Sequence, residues 1–421
     1  MKNTDLSEDT KAILLLCCPL VPKGSFRPLS LTEYNNLAKV LYEKGLRPSS
    51  VLEETDLKSL ASWAQITDSH RLEGLLAMRG KLGFFLEEWQ QAGIWIVSRA
   101  DSCYPKNLKE HLGHQRPPLL FGIGNVSILE KGGLGIVGSR NVDLAGENFT
   151  RKVAKLCAEE KIPVVSGGAR GVDSIAMLGV AQEGGCAVGF LADSLIKKSL
   201  SSDFRDYIAN DQIVILSPYH PKAGFNVGAA MGRNKLIYAQ ADSTLIISSD
   251  FQKGGTWAGA TEELKRPRHR AVLVRDEEGV PLGNKEIIKL GGISYPPITD
   301  QADFKLRLMK SVENTQESNS KDIKNEKSCN RIVQCSLLSE KVSSPQSTKE
   351  IDKNDEMPSS DAIFKAVVPI ICKSLCIPAT AKELAERFDV AIGQMQKWLN
   401  RALAENILKK EKNYYHLINS E

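Results

Sequence analysis

Short apolar runs alternate with helical patterns through the middle of the chain, from about residue 95 to residue 298. The runs are LLFGIG, GLGIVGS, IPVVSG, CAVGFLA, DQIVILS, STLIIS and RAVLVR. Runs of this length that are rich in β-branched residues are typical of buried strands, and helices between them are typical of parallel strands joined by crossovers. The pattern predicts an α/β fold: a Rossmann-like, mainly parallel sheet with helices on both faces over residues 95–300.

The segments on either side of this domain follow different patterns. Before it, stretches such as TEYNNLAKVLYEKGL place apolar residues three and four apart, which predicts a helical N-terminal domain over residues 1–94. After it, residues 301–360 are rich in Ser, Asn, Lys and Glu and poor in large apolar residues, which predicts a flexible linker.

The last segment, residues 361–421, has the pattern of a winged helix. TAKELAERFDVAIGQMQKWLNRALAEN has helix-turn-helix spacing, and ILKKEKNYYHLI predicts two short strands around a polar turn. Its role stays open among duplex DNA binding, contact with a partner or with the chain itself, and structural support. The apolar positions are Leu384, Phe388, Val390, Met395, Leu399 and Leu403, and the candidate contact residues are Gln394, Gln396, Lys397, Arg401, Tyr414 and Tyr415.

Two glycine-rich turns follow apolar runs in the central domain. They are GIVGSRN at residues 135–141 and VVSGGARGVD at residues 164–173. Glycine permits tight backbone and leaves N–H groups open to a ligand, and in an open α/β sheet the ligand lies outside the carboxyl ends of the strands. MGRNKLIYAQAD and KGGTWAGATEELKR have a similar composition and should complete the same edge.

Four loops of this kind predict a basic groove that is too long for one nucleotide and that fits a polynucleotide backbone. The alternative is that the glycines only make tight turns and that the arginines form ion pairs. The predicted phosphate-binding residues are Gly138, Ser139, Arg140, Ser166, Gly167, Gly168, Arg170, Gly171, Arg233, Asn234, Lys235, Lys253, Gly254, Gly255 and Thr256.

Several other classes of protein are disfavoured. The turns do not match GxGxxG, and Ser166 stands where a dinucleotide dehydrogenase has an acidic residue. The sequence has neither a Walker A lysine motif nor a GxSxG elbow, and its six histidines form no evident triad or metal motif. We therefore predict no catalytic residues, no metal site and no cofactor.

The net charge, the cysteines and the apolar run near the start of the chain bear on the ligand and on the cellular location of the protein. A net charge of +4 is mild, so a polyanion must be held by a local patch. The nine cysteines lack zinc-site spacing, which favours free thiols in a reducing cytoplasm. The run AILLLCCPLV is too short to span a bilayer and follows acidic residues, so we expect no signal peptide and no membrane association.

The motifs GIVGSRN, VVSGGARGVD, VILSPYHP, GRNKLI and GGTWAGA, in this order over residues 95–300, resemble the DprA/Smf family of DNA-processing proteins. The resemblance implies a non-enzymatic protein that binds and protects incoming single-stranded DNA and helps load a RecA-type recombinase in DNA recombination, natural transformation and competence. It also implies a homodimer formed through the last strands of the sheet and an N-terminal domain of SAM or helix-hairpin-helix type. The residues that would face DNA phosphates are Arg140, Ser166, Gly168, Arg170 and Arg233.

The sequence also departs from the family pattern. Met177 stands where many members have histidine, and VGAAM precedes the Arg-Asn pair in place of an aromatic and proline-bearing approach. GGTWAGATEE is similar to the GGxGT turn of nucleoside-monophosphate hydrolases, although Glu262 follows Thr256 after a longer gap. The alternative function is therefore a sensor of a nucleotide-derived ligand, or an enzyme that processes nucleoside monophosphates, in the same cleft.

Overall fold

The computed structural model describes residues 6–20, 26–53, 56–66 and 68–316, and, towards the end of the chain, 367–368, 371–372, 375, 379–387, 392–405, 407–411 and 414–417. The chain forms two compact units, Met1–Leu337 and Leu338–Glu421. Within the described residues, no helix combines the length and the apolar composition needed to cross a bilayer.

In the part of residues 1–94 that the structure describes, five helices and one short 3-10 helix precede the sheet. Ser7 caps the first helix by accepting a hydrogen bond from the Thr10 N–H, and Ser30 forms a capping box with Glu33 at the start of the second. The bounds are α1 Glu8–Cys17, α2 Leu31–Glu43, the 3-10 helix Pro48–Leu52, α3 Leu57–Trp63, α4 Ser69–Leu76 and α5 Arg79–Gln91.

Nine strands form one sheet in the order β1-β2-β6-β5-β4-β3-β7-β8-β9. β2 pairs antiparallel with both β1 and β6, and every other pair is parallel. The sheet is therefore mainly parallel, as predicted. The bounds are β1 Trp95–Ser98, β2 Leu119–Ile123, β3 Leu134–Gly138, β4 Val164–Ser166, β5 Ala187–Phe190, β6 Ile213–Ser217, β7 Ser243–Ser248, β8 Ala271–Arg275 and β9 Ile293–Tyr295.

Helices connect these strands and cover both faces of the sheet. The chain runs outward in one direction from β3 through β4, β5 and β6, and then crosses back to place β7, β8 and β9 on the other side of β3. The strand order thus reverses between β3 and β7, where the loops diverge and open a crevice. The helices are α6 Lys106–Leu112, α7 Leu144–Glu159, α8 Val172–Gln182, α9 Leu195–Ser199, α10 Ser202–Ala209, α11 Val227–Gln240, α12 Gly254–Leu264 and α13 Leu282–Lys289, with 3-10 helices at Gly113–Gln115 and Val126–Glu130.

Successive residues of the central strands enter two different apolar clusters, one on each face of the sheet. In β3, for example, Ile136 belongs to one cluster and Val137 to the other. The first cluster also contains α1 and α5, and it includes the fully buried Trp89, whose ring meets Phe121 of β2 at 5.3 Å in an edge-on contact. The N-terminal helices and one face of the sheet therefore share a continuous core.

Residues 301–316 are helical. They begin the segment whose composition predicts a linker, but Phe304 and Leu308 lie one turn apart and are buried in the first apolar cluster together with Tyr295. Two well-placed apolar side chains are enough to attach a helix whose average composition is polar. The rest of the predicted linker, residues 317–360, lies outside the described residues.

The second unit contains the predicted helix pair and a small antiparallel sheet. The helices are Ala381–Arg387 and Ile392–Ala404, and the sheet has the order β10-β12-β11, with β10 Ala379–Thr380, β11 Leu408–Glu411 and β12 Tyr414–Leu417. Leu384, Met395 and Leu399 are buried together, as the helix-turn-helix spacing predicts, and Tyr415 packs with them while Tyr414 is exposed. Phe388, Val390 and the side chains of Gln394 and Lys397 lie outside the described residues.

Candidate nucleic-acid interface

A cavity of about 610 Å³, here called the switch-point cavity, opens where the strand order reverses. Its walls come from the loops that follow β3 and β7, from the first turns of α8 and α12, and from α11 along most of its length. Because all of these loops lie at the carboxyl ends of parallel strands, the fold gathers them at one edge of the sheet. The predicted residues that line the cavity are Gly138, Ser139, Arg140, Arg233, Asn234, Lys253, Gly254, Gly255 and Thr256.

The two glycine-rich turns touch through their backbones. The N–H of Val172 donates to the carbonyl of Ser139 at 3.3 Å. Gly171 has a φ of +86°, and a Cβ at this position would lie 2.4 Å from the Ser139 carbonyl oxygen. Only glycine satisfies both requirements, so this residue holds the two turns together as one structural unit.

Asp173 is buried beneath these turns. Burial raises the pKa of its carboxyl group, while Arg233 and hydrogen bonds from the backbone N–H groups of Ala169, Gly138 and Gly167 act in the opposite direction. The glycine turns are thus organised around an internal carboxylate. Their N–H groups at Gly138 and Gly167 are directed at Asp173, which differs from the expectation that such groups stay open to a ligand.

Arg233, on α11, lies at the bottom of the cavity with only 6% of its surface exposed. Its Nη1 is 3.9 Å from Asp173 Oδ2, which is too long for a hydrogen bond. Within the described residues, its Nε and Nη1 atoms have no hydrogen-bond partner, and the same holds for the hydroxyl of Tyr238, which also lines the cavity. A buried guanidinium with unused donors is suited to an anionic or otherwise acceptor-rich ligand.

The rim of the cavity carries cations and apolar side chains. Arg140 is exposed and lies over the ring of Phe225, 5.3 Å from its centroid. Arg170, also exposed, donates from Nη2 to the side-chain oxygen of Asn141. The exposed fraction is 55% for Phe225, 41% for Met231 and 68% for Val227. This surface presents positive charge next to a ring that solvent can reach.

The N-terminus of α12 forms another wall. Lys253 is its N-cap residue and makes no side-chain capping hydrogen bond, so the N-cap side chain does not accept from the first N–H groups of this eleven-residue helix. Asn234 fixes the turn by donating from Nδ2 to the Gly255 carbonyl at 3.0 Å. The helix N-terminus adds partial positive charge to the cavity that Arg233 already lines.

Other predicted residues lie away from the cavity. Ser166 is fully buried, and its hydroxyl donates to the Ile136 carbonyl at 2.6 Å, so it ties β4 to β3 and does not face solvent. Gly168 is buried and Lys235 is half-buried, and neither is among the residues that line the cavity. Gly167, Arg170 and Gly171 border it through the second turn without lining it.

Asp173, Tyr238 and Phe225 are not among the ligand-site residues predicted from the sequence, although all three line the cavity. Asp173 lies in the first turn of α8, where an acidic residue is ordinary, and Tyr238 follows Arg233 by five residues on α11. Phe225, an aromatic residue just before the start of α11, was the one available sequence signal for the site, and it is exposed. Glu262 does not line the cavity; it is half-exposed and pairs with Arg266 at 3.2 Å.

Residues 95–293 match the protein family described as DNA recombination-mediator protein A. The DNA processing protein DprA of Streptococcus pneumoniae is 30% identical over 156 residues, which are 37% of this chain and 54% of that protein. Protein Smf of Synechocystis is 27% identical over 191 residues, 44% of this chain and 47% of that protein. Residues 95–293 are a DprA/Smf-family domain. The identity to these members is low, so the domain is a divergent one.

The family match runs from β1 to β9 and includes every loop of the switch-point cavity. The chain spans about half the length of the curated relatives named above. The crystal structure of DprA from Streptococcus pneumoniae has the same fold, with a TM-score of 0.55 at 19% identity over 71% of this chain and 97% of that one. The chain therefore has the fold of this solved DprA.

Proposed function

We propose that this DprA/Smf protein binds single-stranded DNA through the switch-point cavity and acts without catalysis as a recombination mediator that helps load a RecA-type recombinase. The observation that carries the proposal is the buried guanidinium of Arg233, which lines a cavity at the carboxyl edge of the sheet and whose Nε and Nη1 have no hydrogen-bond partner among the described residues. A phosphate group of the DNA backbone supplies acceptors for it. The family description, a recombination mediator, supports the wider role.

The rim favours a strand over a single nucleotide. Arg140, Arg170 and Lys253 are exposed and come from three different loops, and Arg170 lies outside the cavity itself. Cations spread beyond one cavity can contact successive phosphates, and an exposed ring such as that of Phe225 can stack on a base. A mononucleotide would leave most of this surface unused.

The rival function is binding or processing of a nucleotide-derived small molecule. Its supporting observation is the cavity volume of about 610 Å³, which lies in the range of small-molecule sites. Glu262, the carboxylate suggested by the similarity to nucleoside-monophosphate hydrolases, is outside the cavity. Asp173, which does line it, receives backbone hydrogen bonds and faces Arg233.

Fluorescence anisotropy with labelled oligo-dT and competition by dTMP separates the two functions. We expect the full-length protein to bind oligo-dT and dTMP to compete only weakly. The Arg205→Ala variant removes an exposed arginine that pairs with Asp206 away from the cavity, and it should bind like the parent. Tight, saturable binding of dTMP without affinity for oligo-dT would reject single-stranded DNA as the ligand.

The proposal includes a homodimer formed through the last strands of the sheet. β9 is the edge strand and pairs with β8 alone, so one row of its backbone groups is unpaired within the sheet. Light scattering at micromolar concentration should give twice the mass of the 46.3 kDa chain. A monomer both with and without DNA would remove this part of the proposal. The cytoplasmic location stays a prediction.

A further inference from the structure

A second cavity, of about 590 Å³, lies against the end of α1, the start of α2 and the loop that connects β6 to α11. We call it the apolar cavity. Its walls include Cys17 and Leu29 from the N-terminal region, Phe121 from β2 and Pro218 after β6. None of the predicted phosphate-binding residues lines this cavity, and the proposed function assigns it no role.

The apolar and switch-point cavities share one wall, residues 223–231. Ala223, Asn226 and Ala229 line the apolar cavity, whereas Phe225 and Val227 line the switch-point cavity. Residues that are neighbours in sequence thus face opposite cavities, so the wall is a single chain segment thick. A ligand that occupies one cavity can reach the other across this segment.

The apolar cavity does not suit an anion. Among the described residues that line it, none is Lys, Arg, Asp or Glu. His220 lines it too, and burial lowers the pKa of its imidazole, with Lys222 acting in the same direction and Glu88 in the opposite one. The imidazole is therefore neutral at pH 7, and the cavity matches a flat, uncharged group and not a phosphate.

Two polar groups in this cavity are arranged as donors. Asn226 Oδ1 accepts hydrogen bonds from the N–H groups of Gly228 and Ala229, at 2.7 and 3.3 Å, which leaves its amide nitrogen to donate. His220 Nδ1 accepts from the Lys222 N–H at 3.1 Å, so the neutral ring carries its proton on Nε2. Carbonyl oxygens and ring nitrogens at the edge of a nucleobase are acceptors for such groups.

We propose that the apolar cavity receives an unstacked nucleobase from the DNA strand whose backbone occupies the switch-point cavity. This inference rests on the proposed function. Bases of a single strand can be splayed away from the backbone and held by apolar and aromatic side chains. The phosphate and the base of the strand are then held on the two sides of the segment 223–231.

The test compares oligo-dT with an abasic oligomer of the same length and phosphate spacing. The parent should bind oligo-dT at least tenfold more tightly, because a held base contributes about that factor. Ala223→Trp fills the apolar cavity and leaves Phe225 in place. This variant should lower the ratio of the affinity for oligo-dT to the affinity for the abasic strand at least threefold. Its affinity for the abasic strand should stay unchanged, and an unchanged value also shows that the phosphate site is folded. Ala209→Trp, at an exposed position that lines neither cavity, is the matched control.

Asn226→Ser provides a second variant. Serine keeps the N-cap acceptor of α11 but removes the amide donor, so folding should be retained and the dT-to-abasic ratio should fall. If both variants keep the parent's ratio, the base does not enter the apolar cavity, although single-stranded DNA binding stands. If the parent binds neither oligomer, the proposed function itself fails.

Discussion

The guanidinium of Arg233 lies 3.9 Å from the carboxylate of Asp173, and both side chains are buried. The separation is short enough for the two charges to compensate each other and too long for a hydrogen bond. Arg233 therefore keeps its donors for a ligand while its charge is partly balanced inside the protein. The same pair explains why an arginine can remain at the bottom of a cavity without unfolding the domain.

Replacing Arg233 with methionine should separate its two roles. The unbranched side chain fills similar space but cannot donate, so affinity for oligo-dT should fall at least tenfold. Asp173 loses its cationic neighbour, and the free energy of unfolding should fall by about 1–3 kcal/mol. Anisotropy and urea unfolding measure the two effects. Parental affinity in Arg233→Met would show that the guanidinium is structural.

Arg140→Ala and Arg170→Ala should each weaken binding at the rim without weakening the fold. Both side chains are exposed, so the melting temperature should stay within about 1–2 °C of the parent. Each lost phosphate contact should reduce the magnitude of the slope of log affinity against log salt by about 0.7. Titrations at several salt concentrations test this, with Arg205→Ala as the charge control. Early melting with unchanged affinity would mean that these arginines are ion-pair partners.

Gly171→Ala should disrupt the contact between the two glycine-rich turns. Its φ of +86° disfavours alanine, and the added Cβ would meet the Ser139 carbonyl oxygen. Gly184→Ala is a matched control, since Gly184 has a φ of +80° and no atom within 4 Å of the added Cβ. The control should cost about 1 kcal/mol of unfolding free energy, and Gly171→Ala should cost more and also weaken oligo-dT binding. Equal losses in both variants would mean that the contact between turns is unimportant.

Stability should depend on pH through Glu33 and Arg71. The Arg71 guanidinium hydrogen-bonds the Glu33 carboxylate at 2.7 and 2.8 Å and lowers its pKa to about 2 from the ordinary 4.5. The pair therefore stabilises the fold above pH 4.5, and this contribution is lost as the pH falls from 4.5 towards 2. Glu33→Gln should lose about 1–3 kcal/mol at pH 7, and its difference from the parent should shrink between pH 5 and pH 3.

Urea unfolding at pH 7, 5, 4 and 3 measures this difference. Glu73→Gln is the control, because Glu73 is half-exposed and its contact is with an exposed histidine, His70. A difference between Glu33→Gln and the parent that does not change with pH would show that ionisation of Glu33 does not account for the loss.

Removal of residues 361–421 should leave binding to oligo-dT within about twofold of the full chain. The residues that line the switch-point cavity all belong to the first compact unit, and the helix pair with β10–β12 belongs to the second. Anisotropy on the shortened protein provides the measurement. A large loss would assign a direct part in single-strand binding to the predicted winged helix.

The strands were predictable because each depends on local sequence. Every one of the seven apolar runs became a strand, from LLFGIG at β2 to RAVLVR at β8. The antiparallel pairing of β2 with β6 was not predictable, since pairing direction depends on how the chain returns and not on the run itself. Similarly, the average composition of residues 301–316 hid a helix whose attachment depends on Phe304 and Leu308.

The sequence predicted which loops form the candidate site better than which side chains line it. Glycine and arginine after strands indicated that these loops gather at one edge of the sheet, which the structure shows. Some of the predicted residues line the cavity and others are buried away from it. A serine at a strand end can face solvent or, like Ser166, form a hydrogen bond to a neighbouring strand, and the sequence does not distinguish the two. The position of Asp173 beneath two turns depends on three separate segments meeting, which no local pattern records.

Trp89 has a consequence for how this protein can change over evolution. Its ring contacts Phe121 in β2 and lies 5.6 Å from the ring of His220 in the loop that precedes α11, so the N-terminal helices pack on the same residues as the sheet. The family match begins at residue 95, six positions after this tryptophan. The matched segment and the compact unit Met1–Leu337 therefore have different boundaries. Exchange of the matched segment between relatives would uncover an apolar surface unless the preceding helices were exchanged with it.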